Sequence, residues 1–236
     1  MTPETREKLQ HVSVATLATA LFRRGLRNQT LQDVHPVSRK GRNMVGPAYT
    51  LRYIPAREDL NGLEVFRDPL HPQRHGVEQC PEGAVMVMDS RKNARAASAG
   101  DILVTRLQVR GVAGVVTDGG FRDAMNIGEL DIPAYHQRPA SPTNLTLHQA
   151  IDLNVPIGCG DVAVFPGDII VGDDDSVIVI PAAIADEIAD EATEMTLFER
   201  FVLSEVQAGK TIIGLYPATH EETQQAFAAW RENQTG

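Results

Sequence analysis

The sequence predicts an α/β protein built as a single domain, and three features carry that expectation. A β-α-β pattern occupies the centre: an apolar strand at 84–88, a helix at 102–110 stopped by Gly111, and a buried-type strand at 112–117. Short apolar runs at 162–165, 168–171 and 176–180 are joined by Pro166-Gly167 and the 172–175 turn, which predicts a β-meander. A long helix is expected over 182–208, with Ile184, Ile188, Ala192, Met195, Phe198, Val202 and Val206 forming one stripe and Gly209 ending it.

The remaining elements follow in order. Residues 3–24 read as one helix, because Leu9, Val12, Leu17, Ala20 and Leu21 recur near helical period before Gly25. Residues 45–54 read as a strand carrying Val45, Tyr49, Leu51, Tyr53 and Ile54. From 55 to 83 the composition turns to Asp, Arg, His, Pro and Gly, with Pro55, Pro69, Pro72 and Pro81 breaking regular structure. A loop that long suggests a lid, a binding loop or a subunit contact. His136 and His148 lack metal-ligand spacing and read as surface histidines.

Composition narrows the function. Of 236 residues, 42% are hydrophobic and 22% charged, which suits a packed core and excludes wholesale disorder. The formal charge of -9 argues against nucleic acid or an anionic membrane as partner. Cys80 and Cys159 are far apart and read as reduced thiols. No apolar run approaches the length of a membrane span, and the polar start has no signal-peptide core, so a soluble cytoplasmic protein is expected. Neither a Gly-X-Gly-X-X-Gly after a strand nor a nucleophile elbow is present, which removes a nucleotide-dependent methyltransferase and a serine hydrolase.

The stretch 100–123 is the most informative. A strand leads through Asp118-Gly119-Gly120 to Arg122 and Asp123, placing a cation and an acid past a tight turn. Upstream, Asp101 opens a helix whose first amides, Ile102 and Leu103, favour an anion. An acid able to hold a metal, a cation and a helix terminus together suit a 2-oxo acid. Asp101 serves equally as a helix N-cap, and Arg122-Asp123 equally as a structural ion pair.

Asp101, twenty residues, then Arg122-Asp123 resembles the Asp-X20-Arg-Asp signature of the RraA-like family. That family includes class II 4-hydroxy-4-methyl-2-oxoglutarate/4-carboxy-4-hydroxy-2-oxoadipate aldolases and the regulator of ribonuclease activity. Residues 100–103 (Gly-Asp-Ile-Leu), 111–119, 164–168 and 173–181 are similar to the family as well, with Ser176 where Gly is usual, and the resemblance spans about 10–215. It implies a β/β/α swivelling, phosphohistidine-domain-like fold, assembled as a homotrimer or homohexamer with sites at subunit contacts. It further implies that Asp123 holds Mg²⁺ or Mn²⁺, that Arg122 contacts the substrate, that the Gly100, Ile102 and Leu103 backbone receives its carboxylate, and that Asp101 holds metal-bound water and helps move protons. Glu199 lies near where the aldolases place an acid from a neighbouring subunit, although it reads equally as a solvated helix position. Asn126 departs from the family, which tends to carry an acid there, and Glu129 is the nearby alternative. The 55–83 segment is longer than in the shortest members and supplies Arg57, Arg67, Arg74, His71 and His75, suited to a distal carboxylate or sugar hydroxyls.

The function implied is a metal-dependent lyase that splits a 4-hydroxy-2-oxo acid to pyruvate and a second carbonyl compound, with oxaloacetate decarboxylation as side activity. The alternatives are a dehydratase on a sugar-acid-derived 2-oxo acid and a non-catalytic ribonuclease regulator.

Overall fold

The computed structural model describes residues 1–233. The expected N-terminal helix is divided into α1 (Pro3–Leu9) and α2 (Val14–Arg23). Ser13 breaks it, because its extended backbone and its hydroxyl, which accepts from Thr16 N, make it a new N-cap. Strands β1 (His35–Pro36) and β2 (Met44–Pro55) follow. The 55–83 segment is not the loop its prolines predict: it contains a 3₁₀ turn at Leu63–Arg67 and helix α3 (Pro72–Gln79). Pro72 starts α3 instead of breaking it, since the first helical position needs no N–H.

The central pattern comprises β3 (Val85–Asp89), β4 (Ala97–Ala99), α4 (Asp101–Val109), β5 (Gly114–Thr117), β6 (Gly120–Phe121) and α5 (Ala124–Glu129). Then come β7 (Ala134–His136), β8 (Arg138–Pro139), β9 (His148–Leu153), β10 (Ile157–Cys159), β11 (Val162–Val164), β12 (Ile169–Gly172) and β13 (Val177–Ile180). The chain continues into α6 (Ala185–Gln207) and α7 (Glu221–Glu232). The expected meander is only partly formed: β12 and β13 make a hairpin, whereas β11 turns back onto β10 as a separate ribbon.

The main sheet runs β1-β7-β5-β3-β2-β12-β13, with β9 also on β2. Strand β2 joins its two halves, pairing antiparallel with β12 through 44–47 and parallel with β3 through 48–52. The sheet curls until its ends approach. The Tyr135 hydroxyl on β7 donates to Asp173 O at 3.0 Å, and a Cβ at Gly172 would lie 2.7 Å from the Tyr135 ring. Alternation along the strands divides the core accordingly. Val85, Val87, Val116, Ile170 and Val179 face inward and are closed over by β10–β11 through Ile157, Cys159, Val162 and Val164. Met86, Met88 and Val115 face outward under Val77, Val104, Leu107 and Ile127 of α3, α4 and α5. Ile169, Val171, Ile178 and Ile180 are covered by α1, α2 and α6. A satellite cluster of Phe198, Phe201, Phe227 and Trp230 fastens α7 to α6. Both cysteines are buried and unpaired, and no helix among the described residues is long and apolar enough to cross a membrane.

His136 and His148 are not surface residues: they are 7% and 0% exposed, on β7 and β9. His136 stacks on Phe121 at 5.6 Å. Their sheet positions follow the β alternation, which residue type alone did not signal. Burial lowers His136 from 6.5 to about 4 and also lowers His148 and His71. Asp118 is buried too and accepts from the Ser90, Lys92 and Gly160 amides. Burial outweighs those bonds and raises it to about 6.

These shifts give a pH dependence. Between 6.5 and about 4 the unfolded chain takes up a proton that folded His136 refuses, so stability present above 6.5 is lost as the pH falls. Asp118 opposes this between its ordinary value and about 6, where the folded state retains a proton that the unfolded chain releases. His136→Gln is expected to reduce the fall in stability between pH 6.5 and 4.5 by about one proton's worth of slope. Urea midpoints followed by circular dichroism at several pH values check this; an unchanged slope assigns the acid sensitivity elsewhere.

Candidate functional site

Strands β4, β6 and β8 form a small parallel sheet, pairing Ala97 with Gly120 and Gly120 with Arg138. The Arg122 amide donates to Ala99 O at 3.0 Å. This ladder sets the ends of β4 and β6 side by side, and the two halves of the Asp-X20-Arg-Asp pattern meet there. Glycines permit the close fit. A Cβ on Gly119 would sit 2.6 Å from Ser90 Cβ, and one on Gly100 would sit 2.7 Å from Arg122 Cγ and 3.1 Å from Asp123 Oδ2. Below them, Ser90, Ser98 and Thr117 are buried and exchange hydroxyl hydrogen bonds.

The result is a cleft of about 220 Å³ whose lining includes Gly100, Asp101, Ile102, Leu103, Arg122 and Asp123. Gln73, Arg74, Thr143 and Asn144 contribute from α3 and the turn before β9. That volume lies below the usual range for drug-sized ligands and suits a small metabolite. Arg122 Nε lies 3.3 Å from Asp123 Oδ2, and both side chains remain partly exposed. Asp123 adopts a left-handed backbone with φ 55°, a conformation that Asp tolerates, and it starts α5.

Gly100, not Asp101, is the N-cap of α4; Asp101 is its first helical residue. Asp101 Oδ1 accepts from its neighbour, the Ile102 amide, at 2.8 Å, and Oδ2 accepts from Asn126 Nδ2 at 2.8 Å. Asn126, at the position where the sequence resemblance leads one to expect an acid, is therefore a hydrogen-bond donor to Asp101. The Leu103 amide donates to Gly100 O, so a carboxylate at this helix end would compete with two existing contacts. Glu199 lies on α6, outside the cleft, and accepts from Thr16 Oγ1 at 2.8 Å. Of the basic residues offered by the 55–83 segment, Arg74 alone lines the cleft; Arg57 pairs with Asp59. Gln73, Thr143 and Asn144 also line the cleft, and no local motif marks them for it.

Among the described residues no group of three His, Cys, Asp or Glu converges to hold a metal. The carboxylates lining this open cleft are those of Asp123 and Asp101. Such a set fits a hydrated hard dication held by one or two carboxylates, the coordination Mg²⁺ favours.

A family model described as RraA-like, Aldolase/RraA, matches residues 14–179. The chain belongs to the Aldolase/RraA family. The matched stretch contains the whole cleft and ends before α6 and α7. The crystal structure of Streptomyces coelicolor RraAS2, described as an unusual member of the RNase ES inhibitor RraA protein family, is similar at a TM-score of 0.74 and 30% identity, over 85% of this Aldolase/RraA chain and 96% of its own. A Halalkalibacterium halodurans relative, provisionally named as a 4-hydroxy-4-methyl-2-oxoglutarate aldolase, is 31% identical over 71% of this chain and 73% of its own. Protein DlpA of Legionella pneumophila is 24% identical over 89% of this chain, which spans only 33% of DlpA's length.

Because Gly100 packs directly beneath Arg122, Gly100→Ala is expected to displace the guanidinium while preserving the fold. Titration with oxalate, a small anion, would read at least about a tenfold loss of affinity, as losing one charged hydrogen bond predicts. The melting temperature should shift by only a few degrees. Unchanged oxalate affinity would separate Arg122 from anion binding.

Proposed function

We propose that this Aldolase/RraA protein is a lyase that cleaves a 4-hydroxy-2-oxo acid to pyruvate and a second carbonyl compound, with oxaloacetate decarboxylation as a side activity. The convergence of Asp101, Arg122 and Asp123 on one small cleft carries this reading. The 31% identity to a relative bearing the aldolase name supports it. The domain would be of the swivelling β/β/α type.

In this reading Asp123 holds Mg²⁺ or Mn²⁺, with Asp101 beside it. The bound cation would supply Lewis-acid polarisation of the 2-oxo group. Arg122 orients the substrate and neutralises charge at the C2 oxygen as the C3–C4 bond breaks and its electrons form the pyruvate enolate. Asp101, oriented by Asn126 and the Ile102 amide, takes the proton from the C4 hydroxyl and, after cleavage, returns it to C3 of the enolate. Asn126 serves here by donating to the base and so fixing the direction of its lone pairs. In oxaloacetate the C3–C4 bond breaks with release of CO2 and leaves the same enolate, so Arg122 and the cation would serve again while no base is needed.

Ile102 and Met125 are 79% and 86% exposed, on α4 and α5 beside the cleft. These apolar side chains suit burial against further copies in a homotrimer or homohexamer, from which Glu199 of a neighbouring copy would approach. A second reading, a regulator that docks on a ribonuclease, is favoured by the similarity to RraAS2.

The deciding experiment measures pyruvate from 4-hydroxy-4-methyl-2-oxoglutarate and from oxaloacetate, with Mg²⁺ and with excess EDTA. Metal-dependent release is expected from both. Asp123→Asn and Arg122→Lys should each lower kcat by about 10²–10³, the usual cost of removing one electrostatic stabiliser; Lys keeps the charge but loses the planar fork. Wild-type turnover in Asp123→Asn overturns the assignment. Silence on both substrates, with capture of a ribonuclease, establishes the regulator.

A further inference from the structure

Gln73 is 2% exposed and lines the cleft from α3. Two hydrogen bonds hold its amide: Nε2 donates to Ser98 O at 2.6 Å and to the Tyr53 hydroxyl at 3.1 Å. Ser98 lies on β4, two residues before Gly100, and Tyr53 lies on β2, so two strands fix the amide. Ser98 O can only accept, which identifies the atom facing it as nitrogen and places the carbonyl oxygen on the other branch. That oxygen, Oε1, accepts from no described residue. Nor is it sealed in the interior, as the unpartnered Nδ1 atoms of His71 and His136 are. The opening it meets is the cleft that Gln73 lines. An amide carbonyl held out of bulk water without a partner costs free energy, and a ligand that donates to it recovers that cost.

The other polar groups of this wall complement it. Arg74 follows in sequence, its guanidinium carbon 4.5 Å from the centre of the Phe66 ring. No ion pair forms at Arg74 among the described residues, so its N–H groups are free to donate into the cleft they line. Thr143 donates from Oγ1 to Asn144 Oδ1 at 3.3 Å, and Asn144 Nδ2 donates to His148 O at 3.2 Å. With its proton engaged, the Thr143 oxygen keeps lone pairs for an incoming donor. The cleft therefore offers acceptors at Gln73 and Thr143 together with a donor at Arg74. A hydroxyl group, which donates once and accepts twice, answers both kinds. A carboxylate would satisfy Arg74 but set an anion against acceptor oxygens, and a methyl group would satisfy neither.

We infer that Gln73 Oε1 is a hydroxyl acceptor, and that it selects 2-oxo acids carrying a hydroxyl on the tail beyond C4. This deepens the proposed lyase reading and rests on it: the preferred substrate has a hydroxylated tail, and the second product is a hydroxyaldehyde. In the simplest case, 4,5-dihydroxy-2-oxopentanoate, the C3–C4 bond breaks and the C4 hydroxyl proton ends on C3. The products are pyruvate and glycolaldehyde, and the C5 hydroxyl held by Gln73 is unchanged. Sites built to hydrogen-bond a substrate hydroxyl discriminate strongly against the analogue that lacks it, because their polar groups are then left unpaired. Gln73 is a specificity residue in this assignment, in contact with the tail and not with the bonds that break.

Two measurements on the full chain with Mg²⁺ test it. The first compares kcat/KM for 4,5-dihydroxy-2-oxopentanoate and 4-hydroxy-2-oxopentanoate, which differ by the C5 hydroxyl alone, in wild type and in Gln73→Met. Methionine keeps the length of the side chain without its carbonyl, and Tyr53 still donates to Ser98 O at 2.8 Å. Gln73→Met should lower kcat/KM for the dihydroxy substrate by about 10–100-fold, chiefly through KM, and leave the other unchanged. A purely structural role for Gln73 would lower both alike. The second measurement needs neither turnover nor a variant. It is calorimetric binding to wild type of 5-hydroxy-2-oxopentanoate and 2-oxopentanoate, which lack the C4 hydroxyl and cannot be cleaved. With each affinity expressed per open-chain ligand, as read by NMR, the hydroxylated one should bind at least about tenfold more tightly. Equal affinity, the result if water alone meets Oε1, overturns the inference even where Gln73→Met fails to fold. A binding preference with no pyruvate from any substrate keeps the hydroxyl subsite and removes the lyase reading. Pyruvate release that Gln73→Met lowers equally for both tails, or for neither, removes the subsite and leaves the lyase.

Discussion

The hydrogen bond from the Arg122 amide to Ala99 O is the contact on which the cleft depends. It belongs to a ladder of only two or three residues per strand, too short to be stable by itself. The buried hydroxyls of Ser90, Ser98 and Thr117 beneath it and the two close-packed glycines supply what the ladder lacks. A side chain at Gly100 would push against the Arg122 and Asp123 side chains that this pairing brings together. Twenty residues of helix and strand separate Asp101 from Arg122, and their length has meaning because β3 and β5 run parallel in the main sheet. The β-α-β crossover returns the chain to the same edge, and the small sheet then sets both signature ends at one level.

Legibility followed local physics. The β-α-β core was readable because α4 ends at a glycine and β5 is continuously apolar, signals confined to a few residues. Asp101, Arg122 and Asp123 were readable through their spacing. The break at Ser13 was missed because the apolar period runs through it unbroken, while the capping hydroxyl that divides the helices is a single polar atom. Helix α3 was missed because its sequence is polar and contains proline; its stability comes from Gln73, Gly76 and Val77 buried against strands remote in sequence. The pairing of β10 with β11, and the burial of His136 and His148, depend equally on long-range partners. Gln73, Thr143 and Asn144 reach the cleft only through those tertiary contacts.

The electrostatics of the molecule concentrate function in a small area. The chain is acidic as a whole, and much of its charge is spent in surface pairs such as Arg24 with Glu187 and Arg231 with Glu194, which contribute little stability individually. At the cleft, by contrast, two guanidiniums and two carboxylates lie together in partial burial, where charges interact more strongly than in open water. Asn126 adds no charge to this group. It keeps Asp101 oriented without placing a third carboxylate beside it, which makes the cleft less negative than an acid at that position would.

The aromatic cluster between α6 and α7 has an optical consequence. Trp230 is the sole tryptophan of the chain, and it sits among Phe201 and Phe227, away from the three clusters that pack the sheet. Intrinsic tryptophan emission therefore monitors the attachment of the terminal helix and is nearly blind to the body that carries the cleft. A fluorescence melt and a dichroism melt of this protein are separate instruments. Where their midpoints diverge, the gap measures how far the C-terminal helix detaches before the sheet gives way.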